Sequence, residues 1–114
     1  MRNLPTVDNE LLEQVVRIIL AIANPERIVL FGSFARGESG AESDIDLLVV
    51  EPEKFGPHLS RRKRMARISR ALSRLHVPAD LLLYSSDEVE YWRDSASHVV
   101  SRALREGETL YERH

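Results

Sequence analysis

No cysteine occurs among the 114 residues, which excludes disulfides, thiolate metal sites and cysteine nucleophiles. No apolar run approaches the roughly 18 residues that a membrane-spanning helix needs. The longest covers residues 18–23 and directly follows Arg17. The first residues lack the basic, apolar and small-residue succession of a secretory signal. The cytoplasm is therefore the expected compartment, with no membrane contact. Internal repeats and low-complexity tracts are also missing. What is present, 43% hydrophobic and 30% charged residues, is an ordinary globular balance that excludes disorder and collagen-like chains. The length suits a single domain over residues 1–114, burying roughly two thirds of its unfolded surface.

Acidic residues are missing from one stretch in particular. Residues 61–74 hold seven of the 16 basic residues and no Asp or Glu, although the formal net charge is only −2. The remainder is correspondingly acidic, so one acidic site and one basic face are expected.

Apolar residues Leu11, Leu12, Val15, Ile18, Ile19 and Ile22 recur at helical spacing from Asp8 onward, until Asn24-Pro25 stops them. Residues 27–31 (RIVLF) read as a strand, 32–40 with three glycines as a turn, and 44–50 (DIDLLVV) as a second strand ended by Pro52. Residues 58–75 read as a helix. Its apolar stripe is Met65, Ile68, Leu72 and Leu75, and Lys63, Arg67, Arg70 and Arg74 run along the opposite side. After the Val77-Pro78 break come a third strand at 79–84 and a helix carrying Val89 and Trp92. Ser85 and Glu88 have capping-box spacing at that helix's start. A further helix at 96–105, a cap at Gly107 and a small strand at 109–111 complete the chain. Helices alternating with short strands indicate a layered α/β domain.

The chemistry concentrates in GSFARGESGAESDIDLLVV, residues 32–50. Asp44 and Asp46 share one face of a predicted strand, about 6–7 Å apart, while Ile45 and Leu47 face the core. Paired carboxylates repel unless a cation sits between them, and oxygen donors suit Mg²⁺. Asp80 opens the third strand in a similar setting; if the two strands are neighbours, three carboxylates converge. Three carboxylates can hold two metal ions, an arrangement that serves in-line displacement at phosphorus. Before them, Gly32-Ser33 follows a strand, where glycine admits close approach of a phosphate and exposed N–H groups bind anions. Arg36 adds positive charge. Each feature alone is more often a turn or a solvated strand end; their succession, with nine residues between Ser33 and Ser43 and then Ser-Asp-x-Asp, is far more specific.

These residues resemble the nucleotidyltransferase superfamily that includes DNA polymerase β, and most of all its minimal nucleotidyltransferases (MNT), over essentially the whole chain. The resemblance implies a polymerase β-like fold of α/β (α+β) class, a short mixed sheet with helices packed mainly on one face and the carboxylates on the other. It implies nucleotide contacts from Gly32, Ser33, Arg36 and Ser43, and metal binding and catalysis by Asp44, Asp46 and Asp80. The cofactor would be two Mg²⁺ ions and the substrate ATP, with AMP transferred to a hydroxyl. Phe34 stands where many members carry a polar or basic residue. In the toxin–antitoxin pairs of this family the acceptor is a tyrosine of a HEPN-domain toxin, the expected partner.

Alternatives are an antitoxin acting by binding alone, nucleotidylation of a small molecule such as an aminoglycoside, and, least favoured, direct nucleic-acid binding through the basic helix. That helix lacks interleaved aromatics. Homo-oligomerisation is left open. The basic stripe and the surroundings of Trp92 are the candidate docking surfaces, Trp92 itself reading mainly as packing. None of His58, His76, His98 and His114 has metal-ligand spacing to another.

Overall fold

The computed structural model describes residues 9–32, 45–76 and 78–113. In chain order the elements are α1 (Asn9–Ile22), β1 (Arg27–Phe31), β2 (Ile45–Glu51), α2 (Arg61–Leu72, continued by one 3-10 turn, Ser73–Leu75), β3 (Ala79–Ser85), α3 (Ser86–Trp92), α4 (Val99–Glu106) and β4 (Glu108–Glu112). The strands form one mixed sheet in the order β3-β2-β1-β4. β1 pairs antiparallel with β2 and with β4, and β2 pairs parallel with β3.

β2 lies inside the sheet and reads as a nearly continuous apolar run, because both of its faces are covered. On one face Ile45, Leu47 and Val49 join Ile19 of α1 and Ile68 and Leu72 of α2 in the main core. Ile19, Leu47 and Ile68 are all fully buried, and burial of side chains this size stabilises by about 1.5–3 kcal/mol each. On the other face Leu48 and Val50 pack with Val29, with Val89 of α3 and with Val100 and Ala103 of α4. The two long helices thus share one face, as expected, while the two short ones cover part of the second.

Local signals account for the boundaries. Ser85 and Glu88 form the complete capping box of α3. α2 starts at Arg61 rather than at 58, because the Ser60 side chain accepts from the Lys63 N–H. α4 starts at Val99 rather than at 96, because His98 caps it, its Nδ1 accepting from the Val100 N–H.

Two of the seven clustered cations are structural. Arg64 donates to Oε2 of the buried Glu51 at 2.9 Å, tying α2 to the end of β2. Arg61 donates to the Leu83 carbonyl, pairs with Glu88 and stacks over Phe55, 4.7 Å from the ring centroid. Burial pushes the Glu51 carboxyl above its ordinary range, and the Arg64 charge opposes that shift.

Candidate active site

The cross-sheet register decides where the acidic residues meet. Val29, Leu48 and Leu82 form one row across β1, β2 and β3, and they face α3 and α4. Two positions along each strand, the row reads Phe31, Asp46, Asp80. With the side-chain period of two, this row points to the same face as the apolar one. Asp46 and Asp80 therefore stand side by side on neighbouring strands, about 4.8 Å apart at the backbone. Their side chains rise just beyond the part of the face that α3 and α4 fill.

β1 ends into the left-handed region. Gly32 has φ +79, and a Cβ there would lie 2.1 Å from Oδ2 of Asp46. Both facts demand glycine: the backbone conformation strains any L side chain, and the carboxylate already occupies the space. Gly32, Asp46 and Asp80 line a single cavity of about 630 Å³.

The opposite wall of this cavity is α4. Its start is anchored at β3, where the His98 ring meets Tyr84 edge-on at 5.8 Å. Its end is pressed onto β1, where a Cβ on Gly107 would come within 2.6 Å of Val29 Cγ1. The helix thus crosses the sheet from β3 to β1. Val100 and Ala103 point into the core, while Val99, Arg102 and Glu106 line the cavity. Sequence reasoning missed these three. Their spacing of i, i+3 and i+7 marks a common face, but an exposed Arg and Glu on a short helix read as solvated until the path of α4 over the sheet is known.

Of the residues singled out by sequence, Gly32, Asp46 and Asp80 are brought together. Ser33, Arg36, Ser43 and Asp44, like Phe34, lie outside the described residues. Among the described residues, no group of three or more metal-binding side chains is assembled; on the sheet side of the cavity the carboxylates of Asp46 and Asp80 form a pair. An all-oxygen donor pair suits a hard divalent cation, which would relieve the repulsion of two adjacent carboxylates.

The docking candidates separate. Lys63, Arg67, Arg70 and Arg74 are exposed along α2, on the sheet face opposite the cavity. Trp92 is half-buried and stacked on His98, with ring centroids 4.0 Å apart. Among the described residues the exposed aromatic is its neighbour Tyr91, at 77%, on the cavity's side of the sheet. No described helix is long and apolar enough to cross a membrane.

A family profile described as "Nucleotidyltransferase domain" matches residues 10–107. A Methanocaldococcus jannaschii protein named as a protein adenylyltransferase is 36% identical over 58 residues. That alignment spans 51% of this chain and 54% of the relative, so the chain spans about half the length of the curated relative it matches. A solved structure described as a minimal nucleotidyltransferase is 30% identical, with a TM-score of 0.61 over 87% of this chain and 88% of the other. A complex of a tri-AMPylated Shewanella oneidensis HEPN toxin with an MNT antitoxin contains a chain of the same fold. Its TM-score is 0.59 at 19% identity, over 90% of this chain and 71% of the other.

Proposed function

The chain belongs to the nucleotidyltransferase domain family, and we propose that it moves AMP from ATP onto a tyrosine hydroxyl of a HEPN-type toxin, with release of pyrophosphate. The observation that carries this reading is the gathering of Gly32, Asp46 and Asp80 around one cavity. The protein acceptor is supported by the name of the M. jannaschii relative. AMP and the HEPN partner are supported by the tri-AMPylated complex. With no described helix fit to cross a membrane, the cytoplasm, where ATP is abundant, is the compartment proposed.

In this reading Gly32 and Ser33 face the triphosphate, and the missing Cβ of Gly32 lets the Asp46 carboxylate close in beside that backbone. Arg36 and Ser43 add polar contacts from the same segment. Asp46 and Asp80, together with Asp44, would hold two Mg²⁺ ions. When bound, these neutralise charge on the phosphates and lower the pKa of the attacking hydroxyl. The tyrosine oxygen forms its bond to the α-phosphorus in line as the bond from that phosphorus to the pyrophosphate oxygen breaks. Asp80, exposed on an edge strand, accepts the phenolic proton and passes it to water. Such a reaction needs positioning and electrostatics more than many reactive side chains.

The acceptor has to reach the α3/α4 side, because that is where the cavity lies. Tyr91 offers it an aromatic anchor. The α2 stripe, on the far face, cannot line the acceptor's path to Asp80. Mass spectrometry of a HEPN-type partner co-expressed with this protein tests the reading. AMP is expected on a tyrosine of the partner. A partner that is inhibited yet carries no nucleotide would sink the enzymatic reading and favour inhibition by binding.

A further inference from the structure

The sheet side of the cavity presents two carboxylates, Asp46 and Asp80, and the helix side adds a third, Glu106. A triphosphate entering such a space meets acidic side chains on both walls. Metal ions held by Asp46 and Asp80 would offset part of this charge on the sheet side only. Among the described lining residues the single cation is Arg102 of α4.

Three observations make Arg102 more than a solvated helix residue. Its position is fixed, because the helix is anchored at both ends, by His98 against Tyr84 and by Gly107 against β1. It is the third residue after Val99 and the fifth before Gly107, which sets it in mid-crossing on the cavity side of the helix. Its guanidinium also makes no ion pair or side-chain hydrogen bond among the described residues, in contrast to Arg61 and Arg64. An exposed cation that faces acids without being consumed by one of them is free to take an anionic ligand. The planar five-donor guanidinium matches phosphate oxygens in a bidentate fashion.

We propose that Arg102 binds the β- and γ-phosphates of the donor nucleotide and stabilises the charge that builds on pyrophosphate as it leaves. This rests on the nucleotidyltransferase reading of the same cavity and goes beyond it by giving α4 a substrate contact. Carboxylate-bound metal on the sheet side and a guanidinium on the helix side would then grip the leaving group from two directions.

The test compares the intact protein with Arg102→Ala, Arg102→Lys and, as a matched loss of charge on the same helix, Arg105→Ala. Titration calorimetry with Mg²⁺ present uses ATP, inorganic pyrophosphate and AMP as probes. Arg102→Ala is expected to weaken ATP and pyrophosphate about 10- to 100-fold, the worth of a charge-assisted contact, and to leave AMP within about twofold. Transfer measured as kcat/KM should fall about 100- to 1,000-fold. Arg102→Lys should recover part of both losses, and Arg105→Ala should match the unmutated protein. Unchanged melting temperatures would show that α4 is intact. Pyrophosphate binding unaffected in Arg102→Ala, an equal loss for AMP, or an equal effect of Arg105→Ala would each overturn the assignment while leaving the nucleotide site standing. An unmutated protein that binds neither ATP nor pyrophosphate would overturn the function reading itself, and this proposal with it.

Discussion

The two faces of the sheet are built from the same strands and serve opposite ends. Toward α1 and α2, β2 presents Ile45, Leu47 and Val49, all buried to within 1%. Toward α3 and α4 it presents Leu48 and Val50 in a smaller core, and before them Asp46 at the rim of a cavity. Strand alternation thus gives neighbouring residues, 46 and 47, different tasks. The filled face supplies most of the core, while the other places the Asp46 and Asp80 carboxylates at the edge of a cavity. The two short helices of this face leave a cavity over the Asp46–Asp80 end, with α4 as its opposite wall.

Mutating these neighbours is the sharpest way to separate the faces. Asp46→Asn should reduce transfer about 1,000-fold or more, since a metal-bound charge is worth several kcal/mol at a phosphoryl centre. Its fold should survive, because the variant keeps the size of the side chain and lies at the cavity rim rather than in either core. Leu47→Ala should do the reverse. It empties a fully buried site and should cost about 2–5 kcal/mol of stability, with transfer per folded molecule retained at temperatures where the variant is folded. Denaturant unfolding beside a transfer assay with α-labelled ATP measures both. If Asp46→Asn unfolds the protein, the division between the faces is wrong.

Gly32→Ala lies where the two tasks meet. The new methyl would meet the Asp46 carboxylate in a backbone of φ +79. About 1–2 kcal/mol of strain is expected from the left-handed conformation, together with a loss of transfer that exceeds what the stability loss explains. Equal ATP affinity in Gly32→Ala and the unmutated protein would remove Gly32 from the site.

The smallest effect concerns the seam between α2 and α3. Burial pushes the Glu88 carboxyl up, but hydrogen bonds from Arg61 and Ser85 and the Arg61 charge outweigh it and hold the group below its ordinary value of 4.5. Its contribution is therefore complete above that pH and lost as the pH falls through the lower folded value. Glu88→Gln should cost about 1 kcal/mol or less at pH 7. The gap in stability to the unmutated protein should close on acidification below about pH 4.5. A gap independent of pH between 7 and 3 would show that the pairing is not ionic.

What could be read in the residues themselves followed the range of the interactions. β1 was legible to the residue, because RIVLF is bounded by breakers on both sides. The capping box of α3 was legible because Ser85 and Glu88 are three residues apart. The convergence of Asp46 and Asp80 was legible only on condition that β2 and β3 are neighbours, which their parallel register satisfies. The starts of α2 and α4 shifted because Ser60 and His98 take the capping role, and a histidine is a rare cap. The cavity wall made by Val99, Arg102 and Glu106 had no local signature at all. It depends on α4 bridging β3 and β1, contacts between residues far apart in the chain. The basic stripe was legible as a stripe, but not as lying behind the sheet from the site.

In the proposed function, the cavity bounded by Gly32, Asp46 and Asp80 holds the donor triphosphate. A crystal structure of the protein with Mg²⁺ and a non-hydrolysable ATP analogue tests it most directly. The triphosphate is expected against Gly32, with metal on Asp46 and Asp80. A triphosphate bound elsewhere, or metal that avoids both carboxylates, would contradict it.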